Sequence, residues 1–239
     1  MTKRHALLAV LLLLTGALAQ AQVADAGFGY RFGDGKGYGA SVLSAFAEDP
    51  CGDTYARADF GFSAAPLALS SSYLEVSRTI NFWKNTDFRA LGIHAEFNGH
   101  LNKGNSNWLV GLDYTIPGRN MLKFSAMYMF FNGNAYSKFP AQFSFLWRCN
   151  DVLDVPGLQF RGLLKVWGEE TTYWYGDKKP TEAPTGHFIV KATPQLWYAI
   201  GRLFGFDNLS LGGEVELSYN YLGHSGFRAC PMAGLKLGF

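Results

Sequence analysis

From Asn107 onward, apolar and polar residues alternate one by one through segment after segment. Trp108, Val110, Leu112, Tyr114 and Ile116 fall on one side of an extended chain, and Asn107, Gly111, Asp113 and Thr115 on the other. The next segments repeat the pattern. Leu122, Phe124, Ala126, Tyr128 and Phe130 oppose Lys123 and Ser125, and Phe139, Ala141, Phe143, Phe145 and Trp147 oppose Gln142, Ser144 and Arg148. A period of two is the signature of β-strands with two unlike faces, and no stretch of ten or more residues shows the helical recurrence. Weaker strands are expected at 24–32, 38–46, 54–62, 71–80 and 88–98. With segments near 158–166, 188–198, 209–220 and 227–239, the total is about twelve.

Alternation also occurs in soluble β-sandwiches, so the content of each face decides between the two. Across the last seven segments and Leu91, Ile93, Ala95 and Phe97, the apolar face carries no charged or amide side chain. The opposite face carries charges in mid-strand. Such an outer face suits lipid, where open edges would leave backbone N–H and C=O groups without partners, so the strands must close. The expected fold is an all-β transmembrane antiparallel barrel of about twelve strands, without substantial helix. Aromatic residues near strand ends, Phe82 with Trp83, Trp147, and Trp197 with Tyr198, are expected as girdles at the headgroups. Pro194 and Pro231 fall in mid-strand, where bulges are expected.

The N-terminus reads as an export signal. Lys3 and Arg4 precede the apolar run 6–14, and Ala19, Gln20 and Ala21 form a small-x-small cleavage site. Residues 1–21 are expected to be removed, leaving 22–239 as one barrel domain, and no cysteine follows to accept a lipid. Of 21 Lys and Arg, two lie in the signal, and the remaining 19 equal the 19 Asp and Glu. There is thus no electrostatic case for nucleic-acid binding. The 48% apolar content and three cysteines exclude disorder and a disulfide scaffold. A Cys51–Cys149 bridge is conceivable, but free, inert thiols are the preferred reading, and no Cys/His spacing suggests zinc.

The chain closes on Leu235, Leu237 and Phe239 in alternation. A terminal aromatic on an amphipathic strand resembles the signal by which bacterial outer-membrane barrels are recognised, so the barrel assembly machinery is an expected partner through Phe239. Localisation in a Gram-negative outer membrane follows. With both ends periplasmic, the longest connection, 168–185, is expected outside the cell, where its Thr172, Tyr173, Trp174, Tyr175, Asp177, Lys178 and Lys179 reach over the mouth.

The inward face offers Tyr73, Glu75, Glu96, Asp113, Arg148, Arg161, Lys191, Trp197, Glu214 and Arg228 as solute-contacting candidates. Mixed charge beside aromatic rings suits a neutral polar ring better than a simple ion. The same groups are also needed to satisfy a narrow polar lumen. Short motifs sharpen this: Tyr73-Leu74-Glu75-Val76-Ser77-Arg78, Val166-Trp167-Gly168, Pro194-Gln195-Leu196-Trp197-Tyr198, Gly213-Glu214-Val215-Glu216-Leu217-Ser218 and Leu235-Lys236-Leu237-Gly238-Phe239. In these the chain resembles the nucleoside-specific outer-membrane channel (Tsx-like) family. The resemblance implies a monomeric twelve-stranded barrel with a keyhole-like lumen that passes nucleosides by passive diffusion, without cofactor or chemical step.

Two other classes are weighed. An outer-membrane lipid-modifying enzyme, an acyl hydrolase or transferase, needs a Ser/His pair, for which His224-Ser225 is the nearest match, without an elbow motif. His94 and Glu96, two apart on one inner face, are a weak metal pair. A plugged structural or adhesive barrel is disfavoured by short loops at most outer connections.

Overall fold

The computed structural model describes residues 23–239 apart from 34–35, 63–68, 84–85, 87, 101–105, 117, 119, 133–136, 173–184, 207 and 223. The strands are β1 (Val23–Gly33), β2 (Lys36–Asp49), β3 (Gly52–Phe62), β4 (Leu69–Ile80), β5 (Leu91–His100), β6 (Ser106–Ile116) and β7 (Met121–Asn132). They continue as β8 (Ala141–Asn150), β9 (Leu158–Thr172), β10 (Thr185–Ala192), β11 (Gln195–Tyr198), β12 (Leu209–Tyr219) and β13 (Phe227–Gly238). Each pairs antiparallel with its neighbours, and β13 pairs with both β12 and β1, so the sheet closes. Phe239 N–H donates to the Ala24 carbonyl at 2.8 Å, extending the seam. β10 and β11 both lie between β9 and β12 and are two halves of one staple of the wall, giving twelve spans. Among the described residues the only helical turns are two short 3₁₀ segments, Val152–Asp154 and Ile200–Phe204.

Pro194 causes no bulge. Ala192 pairs with Leu164 and Gln195 with Arg161, the same register on both sides of the proline; pairing with β12 likewise runs unbroken from Ala192–Leu217 to Gln195–Glu214. The missing N–H splits the ladder without adding a residue, while the Pro194 carbonyl still accepts from Val215 at 2.9 Å. Pro231 also stays in register, opposite Val215. Because Val215 points its N–H away from β13, this is a non-hydrogen-bonded pair, and Pro231 needs no donor toward β12. Its nitrogen faces β1, whose ladder ends one residue earlier at Arg31–Met232. The register shifts that do occur are at Gly61/Phe62 and Gly186/Phe188.

The two faces separate as the alternation requires. Trp108, Leu112, Phe124, Tyr128, Phe143 and Leu211 are exposed on the outside, whereas Arg57, Glu75, Glu96, Asp113, Lys165 and Glu214 are buried inside. An apolar exterior around a charged interior is the reverse of a soluble core and fits a barrel in lipid. The lumen is not uniformly polar. Leu109, Met127 and Met129 form a buried inner cluster with Trp167 against it, and Trp197 packs with Ala40, Met232 and Val42.

At the rim that carries the chain ends, connections range from the two-residue β2–β3 turn to the ten-residue β4–β5 and β11–β12 segments. The turn from β2 to β3 closes where the Asp49 carboxylate accepts from the N–H groups of Cys51, at 2.7 Å, and Gly52, at 3.1 Å. Cys51 and Cys149 are not bridged, and both thiols are free. The segment expected in the long loop at 168–172 instead prolongs β9. The remainder of that loop from Tyr173, and the expected signal peptide 1–21, lie outside the described residues.

Candidate functional site

Period two puts residues i and i+2 of a strand side by side on one face, and closure brings strands from opposite walls within reach. Both effects build the lumen. On β3, Arg57 Nε donates to Asp59 Oδ1 at 2.8 Å, while Arg57 Nη2 reaches Glu214 Oε2 of β12, also at 2.8 Å. Glu214 further accepts from Arg31 Nη2 at 2.8 Å and Gln195 Nε2 at 2.6 Å. A carboxylate with 1% of its side chain exposed is thus held by two guanidiniums and an amide.

A second group spans β4, β5 and β9. Lys165 Nζ lies 2.8 Å from Glu75 Oε2 and 2.7 Å from Glu96 Oε1. Tyr73 donates its hydroxyl to Glu75 Oε2 at 2.7 Å; Asn98 and Gln142 donate to Glu96 at 2.8 and 3.3 Å. A third group joins Lys123 to Asp53 at 2.6 Å and to Asp113 at 3.2 Å, with Thr79 and His94 also on Asp113. His94 and Glu96 are therefore members of ion networks, and no group of three metal-ligating side chains is found among the described residues.

Toward the rim opposite the chain ends, the lumen becomes aromatic. The rings of Tyr73 and His100 have centroids 5.0 Å apart, His100 and Tyr221 5.9 Å, and Tyr221 and Trp167 5.9 Å. Lys191 Nζ sits over both Tyr73, at 4.6 Å, and Tyr221, at 4.9 Å, and lies 3.4 Å from Glu216 Oε2. The Tyr221 hydroxyl is 2.9 Å from His100 Nε2. Tyr221 belongs to the turn after β12, and burial pushes its phenol up to about 12. Just below, a cavity of about 20 Å³ is lined by Arg57, Tyr73, Glu75, Leu163, Lys165, Lys191 and Thr193. That is room for roughly one water. At this level side chains reaching in from opposite walls meet across the lumen.

The candidates fall into separate groups. Tyr73, Glu75, Glu96 and Lys191 gather at the level of the small cavity; Glu214 adjoins it through Arg57; Asp113 lies in the Lys123 group. Arg148, Arg161 and Trp197 sit together near the other rim, where Arg161 binds Asp25 at 2.6 Å, Arg148 covers the Phe46 ring, and Lys236 lies 5.2 Å from the Trp197 ring. Trp197 is 3% exposed, so it does not join the girdle; its neighbour Tyr198 faces out. Strand phase dictates this, since adjacent residues cannot share a face. Arg228 is near the start of β13, where a Cβ on Gly33 would stand 3.0 Å from its Nη2. His224 and Ser225 are both exposed on the turn after β12.

Sequence reasoning missed Arg31, His100, Trp167, Tyr221 and Gln195. Arg31, between Tyr30 and Phe32, carries the alternation signal, but in a strand where glycines stand at inward positions 27 and 29. His100 and Tyr221 stand at or beyond strand ends, where period has no information.

A family model described as a domain of unknown function (DUF5020) matches residues 30–239. No curated protein matches the chain. Among solved structures, the chain is similar to a NanC porin, at 12% identity and a TM-score of 0.52, covering 90% of this chain and 98% of that one. It is also similar to OccK10 (OpdN) of Pseudomonas aeruginosa, at 10% identity and 0.39, covering 92% and 99%. For OccK5 (OpdH) of the same organism the values are 9%, 0.38, 91% and 97%.

Proposed function

The chain belongs to the family described as a domain of unknown function (DUF5020), and from its barrel we propose a passive, ligand-selective diffusion channel of a Gram-negative outer membrane, carrying nucleosides or similar small polar solutes. The observation that carries this reading is the Tyr73–His100–Tyr221–Trp167 cluster with Lys191 over two of its rings, set beside the small cavity that Lys165 and Lys191 line. Flat aromatic faces stack on a base or sugar, while Lys191, His100 and the tyrosine hydroxyls meet its polar edge. The resemblance of its short motifs to the Tsx-like family points the same way, and the porin-like fold is compatible with it.

Passage requires the side chains that meet across the lumen to give way. Lys165 and Lys191 are long, flexible side chains whose rotamer changes widen the lumen at this level. On this reading the barrel works as a monomer without a cofactor, residues 1–21 direct export, and Phe239 is presented to the assembly machinery.

The test is uptake by liposomes containing the purified barrel, comparing nucleosides with sugars and amino acids of similar size. Faster nucleoside entry is expected. Equal entry of all three, or none, would overturn the reading.

A further inference from the structure

The rim that carries the chain ends holds a second group unlike the others. Elsewhere in the lumen, Arg31, Arg57, Lys123, Lys165 and Lys191 each touch at least one carboxylate. Near this rim, Arg148 and Arg161 stand directly opposite each other on β8 and β9. Like charges facing across a ladder repel. Lys236 of β13 is buried close by, with its amine 5.2 Å from the Trp197 ring. Asp25, bound to Arg161 Nη1 at 2.6 Å, and the exposed Glu48, near Arg148, are the neighbouring carboxylates.

The other contacts of these basic side chains are with uncharged groups. Arg148 lies over the Phe46 ring at 4.9 Å, Lys236 donates to the Gln159 amide oxygen at 2.9 Å, and Arg161 Nε is buried with no partner. Trp197 packs beside Lys236. Two guanidinium forks thus stand side by side within a few residues of the strand ends, and both are only partly buried.

We propose that this rim is a binding site for the oxyanion of a small organic solute, a carboxylate or phosphate, which seats between Arg148 and Arg161. An oxyanion there accepts from both forks and relieves their mutual repulsion. The site is separate from the aromatic mouth, and binding at it does not depend on whether solutes cross the barrel.

The test is calorimetric titration of the folded barrel, in uncharged detergent at low salt, with benzoate, phenyl phosphate and the uncharged isostere benzamide. At least one anion is expected to bind about tenfold more tightly than benzamide, the scale of a charge-assisted hydrogen bond. Binding by one anion alone names the oxyanion. Arg148→Gln is expected to remove that advantage, and Asp25→Asn, which frees Arg161, to strengthen anion binding severalfold. If Arg148→Gln does not fold, judged by heat-dependent mobility on gels, the wild-type comparison and Asp25→Asn decide. Equal affinity for anions and benzamide, or anion binding unchanged in folded Arg148→Gln, would overturn the site. Anion binding without liposome uptake of any solute would leave this site standing and remove the channel reading instead.

Discussion

Lys165 on β9 and Glu75 on β4 meet across the lumen from nearly opposite walls, with Nζ 2.8 Å from Oε2 and both side chains no more than 5% exposed. The same ammonium serves Glu96. One ammonium therefore bridges two buried carboxylates across the lumen. Removing it leaves both acids without their counter-charge.

Lys165→Met is expected to lower stability by about 3–5 kcal/mol, because a broken buried pair costs far more than an exposed one. Urea titration of the barrel refolded in bilayers measures this. The double variant Lys165→Met/Glu75→Gln is expected to recover part of the loss, since one uncompensated charge is gone. A loss below about 1 kcal/mol, the scale of a surface pair, contradicts the buried bridge.

Tyr221→Ala removes a ring from the mouth without touching the wall, since Tyr221 lies on the turn after β12. Loss of one stacking face is worth about 1–3 kcal/mol for a base. Nucleoside half-saturation in liposome uptake is expected to rise accordingly, with sugar entry changed little. A parallel fall for both solutes would show that Tyr221 acts on the barrel and not on the ligand.

The high pKa of the Tyr221 phenol, about 12 through burial, has a stability consequence. Between the ordinary tyrosine value and about 12, the folded chain keeps a proton that the unfolded chain has released. Stability contributed by this group is complete below pH 10 and falls as pH rises through that window. Tyr221→Phe is expected to flatten this part of the profile relative to wild type. Urea midpoints at several alkaline pH values supply the comparison, and parallel curves for the two proteins would refute the linkage.

Trp147 lies over Gly162, its directly opposed partner on β9; a Cβ at Gly162 would fall 2.1 Å from Trp147 Cζ2. Gly162→Val must push the indole off the strand. The expected cost is about 1–3 kcal/mol, with a change in quenching of tryptophan fluorescence by brominated lipid. Unchanged quenching and stability would mean the ring is free to move aside.

Period two alone was enough to place Glu75, Glu96, Asp113, Lys191 and Glu214 on the inner face, because alternation is a local property that each strand carries within itself. The same local rule separates Trp197 from Tyr198, where their shared position near a strand end suggested a common girdle. Pro194 and Pro231 suggested bulges for an equally local reason, the missing N–H. Their register is kept because Pro194 splits a ladder that resumes in phase, while Pro231 directs its nitrogen past the last β1 pair.

Which inner residues meet is a different matter. Arg57 reaches Glu214 across 157 positions and Lys165 reaches Glu75 across the barrel, distances set by strand order, closure and the stagger of the seam. His100 and Tyr221 are brought to the mouth by the ends of strands and by a turn, where no period exists to announce them. The amino-acid sequence by itself determined a closed barrel with an apolar face outside and charge within. Only the tertiary structure decided that most of those charges neutralise one another in the lumen, while Arg148, Arg161 and Lys236 remain together at one rim.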